Sequence, residues 1–139
     1  MKRSRTRQTV YEQVHRRVLA DARFLLRHQR WHSAAYLGGY ALECLLKVAV
    51  CVYLNVRELP KEYEVHDLPF LLDRAGLAEE LRGDTSVHHK FDVVHLTWRT
   101  DLRYSGKMVA AEEARRFFRA LEEVMKWLNE RISKRRWPI

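Results

Sequence analysis

Turn-forming residues are scarce in this sequence: 139 residues hold only 3 prolines and 5 glycines. A fold stitched from many tight hairpins needs more of both, and no clean period-two alternation marks a half-buried strand. Cysteine is equally thin. Cys44 and Cys51 are the only two, and they stand seven apart in one apolar run. On a helix that places them on neighbouring turns of one face, too far apart to bridge. They read as buried thiols in a reducing compartment. The N-terminal MKRSRTR lacks the apolar stretch of a secretory signal. A membrane span is not expected either: Glu43 and Lys47 interrupt the run from 33 to 54, and the stretch after Lys47 falls far short of ~20 residues. The expectation is a soluble, cytoplasmic protein with no membrane partner.

What is present is a folding composition with an excess of positive charge. Hydrophobic residues make up 47% and charged residues 32%, a balance that suits one packed domain over residues 1–139. The basic ends, about 1–8 and 134–139, read as flexible. A net charge of +8 favours an anionic partner such as a nucleotide, nucleic acid or acidic protein.

Helical periodicity accounts for most of the chain. Val10, Val14, Val18, Ala22 and Leu25 recur at spacings of four and three, predicting a first helix from about Thr9 to Gln29. A second helix, about Ser33 to Leu54, is apolar almost all round and is expected at the centre. In HDLPFLLDRAG, Asp67 suits an N-cap, Pro69 a first turn and Gly76 a stop. GLAEELRG adds another turn. Val87, Phe91, Val94 and Trp98 mark a helix starting near Asp84. The last helix, about Met108 to Ser133, carries a stripe of Ala110, Ala114, Phe117, Leu121, Val124, Leu128 and Ile132. The predicted fold is all-α: an antiparallel up-and-down four-helix bundle with a short extra helix in the connection between helices two and four.

One line of the central helix does not fit its greasy character. Tyr36, Gly39, Tyr40, Glu43 and Lys47 share one side of it, and Gly38 precedes the second glycine. Glu43 and Lys47 can pair at i, i+4, and the glycines let another backbone approach. One reading is a bundle core with a partly buried ion pair at a tight crossing. The other places this line on the wall of a cleft or dimer interface, facing a basic element.

Three pieces in order bear on that choice. Ala41, Glu43, Leu46 and Lys47 form A-x-E-x-x-L-K. His66, Asp67 and Leu68 form H-D-L at the opening of the short helix. Arg103 and Tyr104 form an R-Y pair before the last helix. Over roughly residues 10 to 134 the chain resembles the HEPN domain family. The resemblance implies an antiparallel four-helix bundle, commonly a two-fold dimer, that engages RNA or nucleotides. It also implies a small nucleotidyltransferase as partner, in a toxin–antitoxin-type pair where the transferase adds nucleotides to a tyrosine near the motif. Tyr104 is the matching tyrosine here.

Many members of that family are metal-independent ribonucleases with an Arg-x4–6-His motif near the start of the last helix. The histidine moves protons and the arginine steadies the phosphorane. Arg23 with His28, Arg27 with His32, and Arg82 with His88 or His89 have such spacings, but none stands at the family's place. There the chain has WRTDLRYSG, with Arg99 and Arg103 and no histidine. The reading is therefore a binding protein: Arg99 and Arg103 fork onto a phosphate, and Tyr104, Tyr36 or Tyr40 stacks on a base. The alternatives are a ribonuclease using a displaced histidine, or a pure interaction module. Glu43 is expected beside Arg99 or Arg103 as an orienting group, because a carboxylate on an apolar helix needs a partner.

Other residues draw weaker readings. His88, Asp92 and His95 fall at i, i+4, i+7, more simply a solvated flank than a metal face. His66 reads as capping or packing the short helix, and Trp98 as a core anchor. No glycine loop for phosphates, no CxxC pair and no diagnostic nucleophile–base spacing is present, so no cofactor or metal is called for.

Overall fold

A computed structural model describes residues 5–98, 102, 106 and 108–136. The element order is α1 (Gln8–Arg27), α2 (Trp31–Leu54), a single 3-10 turn (Lys61–Tyr63), α3 (Leu68–Arg74), α4 (Ala78–Arg82), α5 (Thr85–Thr97) and α6 (Ala111–Arg136). The all-α class expected from the periodicity is what is found. Among the described residues the one β-type pairing is an isolated bridge between Arg7 and Glu58.

Helix ends are set by local chemistry. Three helices stop in the same way, on a residue with left-handed backbone: Gln29 (φ 61°), Asn55 (φ 55°) and Gly76 (φ 71°). In each, the next amide reaches back to a carbonyl in the last turn: Arg30 to Leu25, Val56 to Cys51 and Leu77 to Leu72. This satisfies carbonyls that the helix itself leaves open. Two starts are capped by aspartate. Asp67 accepts from the Phe70 amide at 3.0 Å and Asp84 from the Val87 amide at 3.2 Å.

α2 is the central element and packs against α1, α3 and α6, while α5 packs on α6. Residues 41–51 of α2 are buried without a break. By length and composition α2 is apolar enough to cross a membrane, but 72% of its apolar window lies inside the fold, as for a core helix. The α6 stripe expected from sequence is inside from Ala114 through Ile132, whereas Val10, first in the α1 stripe, is 41% exposed.

The glycine pair admits side chains rather than a second backbone. A Cβ on Gly38 would sit 3.0 Å from atoms of Leu121 and Phe117, and one on Gly39 only 2.1 Å from the Trp98 indole. Trp98 is thus a buried anchor, and its Nε1–H donates to the Tyr36 carbonyl at 2.9 Å. At the other end of the chain, α6 stays helical through Arg136. Arg136 binds Glu12 at 2.9 Å and Gln8 at 2.7 Å, and Arg135 donates to the Ala75 carbonyl. The residues from 134 to 136, grouped by sequence with a flexible end, are in these contacts part of the helix.

Candidate functional site

Because the middle of α2 is buried without a break, the polar groups it carries there, Glu43 and Lys47, are drawn inside with it. Glu43 is 1% exposed and Lys47 5%. Lys47 Nζ donates to Glu43 Oε2 at 2.9 Å and lies 5.4 Å over the Tyr11 ring of α1. The second carboxylate oxygen is met from the loop before α3, where His66 Nδ1 stands 2.8 Å from Glu43 Oε1. Both oxygens of the buried carboxylate therefore have a partner, the condition for keeping such a charge inside a fold.

The His66 side chain remains 56% exposed. An ionised carboxylate only accepts, so Nδ1 carries the proton and donates. That leaves Nε2 as the ring's free corner. A carboxylate behind an imidazole fixes its orientation and tautomer, as in hydrolase triads. In the neutral ring Nε2 is an acceptor that can take up a proton, and the imidazolium so formed can donate from Nε2 to a phosphate oxygen.

Groups around the carboxylate are held in their neutral forms. Tyr40 is pushed up to about 12, first by burial and then by Cys44 and Glu43. Cys44 is pushed up to about 11 by burial and by Glu43, and Cys51 to about 11 by burial. Burial also raises Tyr11. The two cysteines are buried free thiols, not poised nucleophiles. On the α1 side, burial lowers His15, whose Nδ1–H donates to the Ala41 carbonyl at 2.8 Å.

The start of α2 forms a separate station. His32 Nε2 stands 3.0 Å from the Leu102 carbonyl, and the Val109 amide donates to His32 Nδ1 at 3.1 Å. One ring thus pins two points of the connection between α5 and α6. At ~1.5 Å per residue, His32 lies about 16 Å along the axis from Glu43. Tyr36 and Tyr40 are half-buried between them. Arg99, Arg103 and Tyr104 lie outside the described residues, and with them the expected contact of Glu43 with an arginine. The described partners of Glu43 are Lys47 and His66.

Of the residues singled out by sequence, Glu43, Lys47 and Tyr40 come together, and Tyr36 joins the Trp98 station. His66, assigned by sequence to capping or packing, is the contact that spacing missed. A signal existed: Glu43 has two oxygens, Lys47 fills one, and H-D-L stands with them among the pieces that carry the resemblance. His88 Nε2 lies 3.9 Å from Asp92 Oδ2, and among the described residues no three metal-ligating side chains converge. Comparison with family models, curated proteins and solved structures finds no match for this chain.

Proposed function

We propose that this is a HEPN-like nucleotide- or RNA-binding protein, working in the cytoplasm as the dimeric partner of a small nucleotidyltransferase. The observation that carries the reading is the buried Glu43 carboxylate holding Lys47 on one oxygen and a half-exposed His66 on the other. Two of the three sequence pieces behind the resemblance meet there in space. A net charge of +8 supports an anionic ligand. In this reading His66 Nε2 and the arginines at 99 and 103 receive phosphate, and Tyr104 is the residue a transferase modifies.

Titration of the purified protein with ATP and with short RNA tests it. His66→Ala and Glu43→Gln are expected to weaken nucleotide binding about tenfold in variants shown to be folded, and both should also lower the melting temperature, since one strips an oxygen of Glu43 of its partner and the other removes the counter-charge of Lys47. Unchanged affinity in both would end the reading. Light scattering should report a dimer at micromolar concentration.

The outward Nε2 favours one second reading, a metal-independent ribonuclease whose histidine comes from the loop before α3. Labelled RNA incubated without metal separates the two. Cleavage that vanishes in His66→Ala would replace binding by catalysis.

A further inference from the structure

A hollow of about 590 Å³ opens on the flank of the molecule between α5 and α6. A smaller one of about 290 Å³ adjoins it toward α1, and both have Arg119 and Glu122 in their walls. Phe117 and Leu121, on the other side of α6, pack toward Gly38 of α2. The larger hollow therefore lies on the side of α6 turned away from α2.

Among the described residues, several cations of the fold are held in ion pairs, and three on this flank are not. Arg131 is held by Glu80 and Arg136 by Glu12. Lys90, Arg116 and Arg119 line the larger hollow with no carboxylate partner among the described residues. Glu122 cannot serve them, since Arg23 already binds it through two hydrogen bonds at 2.9 and 2.8 Å. Only Glu123 opposes the three cations within that wall. In the smaller hollow, Arg115 is paired with Glu112 at 2.7 Å and lies 4.9 Å over the Trp31 ring. Like charges gathered in a concave surface repel one another, and an anion laid among them relieves that repulsion.

We propose that this flank binds single-stranded nucleic acid by its phosphodiester backbone, laid across α6 from Lys90 on α5 toward Arg23 on α1. Two adjoining hollows with cations in each suit an elongated polyanion better than a compact one. Arginine forks match phosphate oxygens. An acidic amphipathic helix is a poorer fit: it needs several apolar anchors at i, i+3, i+4 and i+7, and the two hollows offer only Val93, Ala120, Leu26 and Phe118, of which Ala120 and Phe118 are buried. The surface is separate from the His66 site and does not depend on it.

The test is anisotropy with a labelled oligouridylate of about 12 nucleotides, a length that spans a typical single-strand site, measured over a salt series. Arg116→Glu with Arg119→Glu should weaken binding about tenfold or more and reduce the slope of log K against log salt by about 2. A control pair, Arg57→Glu with Arg82→Glu, makes the same charge change on exposed residues elsewhere and should cost less than about threefold. His66→Ala should leave intact the part of oligouridylate binding that Arg116 and Arg119 control, even where it weakens ATP binding about tenfold. If the charge reversals disturb folding, Arg116→Gln with Arg119→Gln should still lower the salt slope. Equal losses in the two arginine pairs would overturn the proposal, as would an unaffected Arg116/Arg119 variant. Tighter binding of polyglutamate than of oligouridylate would also overturn it, in favour of an acidic protein partner.

Discussion

At Gly38 and Gly39, α2 gives up side-chain volume so that Phe117, Leu121 and Trp98 can enter. One turn later, at Glu43 and Lys47, it keeps two long charged side chains and buries them. Each station breaks the rule for a core helix at a different cost. The glycines sacrifice about 1 kcal/mol apiece of helix propensity and recover it through aromatic packing. The ion pair gives up several kcal/mol of hydration per charge and holds only while every oxygen is satisfied. The first station depends on shape, and the second on a full set of partners.

The largest expected effect comes from removing one partner of the pair. Glu43→Ala leaves the Lys47 ammonium buried and should cost about 3–5 kcal/mol in urea unfolding. Replacing both by leucine should be within about 1 kcal/mol of wild type, or more stable, while nucleotide binding is lost. A stable Glu43→Ala protein would show that Lys47 reaches water and would dissolve the contrast.

Next comes Gly39→Ala. The new methyl meets the near side of the indole rather than a flexible tip, so Trp98 must move and release the Tyr36 carbonyl. A loss of about 1–3 kcal/mol is expected, with a shifted tryptophan emission as a second readout. Gly38→Ala stands at the other end of the scale, near zero. Its methyl would press on Leu121, Phe117 and Phe118 at 3.0–3.2 Å, which offsets the propensity gained.

Between these lies pH. His15 is buried without charge against Ala41, and burial lowers its pKa. The unfolded chain takes up that proton near ~6.5 while the folded chain does not. The contribution is complete above that value and is lost as pH falls through the window below it, at no more than about 1.4 kcal/mol per pH unit. Glu12, held below the usual carboxylate range by Arg136, contributes above its unfolded value near ~4.5 and loses that only in stronger acid. A His15→Gln variant should show a flatter stability profile in the upper window and an unchanged one in the lower.

Periodicity made the helices legible because a stripe is a local property. Phe91 and Val94 on α5, Trp98 at its C-cap, and the stripe from Ala114 through Ile132 on α6 are inside as their spacing required. The cap at Asp67, the helix start near Asp84 and the stop at Gly76 were legible for the same reason. The stops at Gln29 and Asn55 were less so, since neither is glycine. What spacing could not supply was the meeting of distant residues. His66 lies 23 positions from Glu43, His32 lies 77 from Val109, and Trp98 lies far along the chain from the glycine it covers. Each of these contacts is a product of tertiary packing, and only the pattern shared by Glu43 and His66 hinted at any of them.

The clasp of Arg136 on Gln8 and Glu12 nearly closes the helical core on itself. The last turn of α6 and the first turn of α1 are held together by one guanidinium, with the strand-like bridge from Arg7 to Glu58 closing the same corner. Neither terminus of the helical core can then fray alone: opening one removes the partner that holds the other, so amide exchange at both should rise together. A short peptide joining the two would close a ring without threading the fold, and new ends could be cut at an exposed turn such as Gln29.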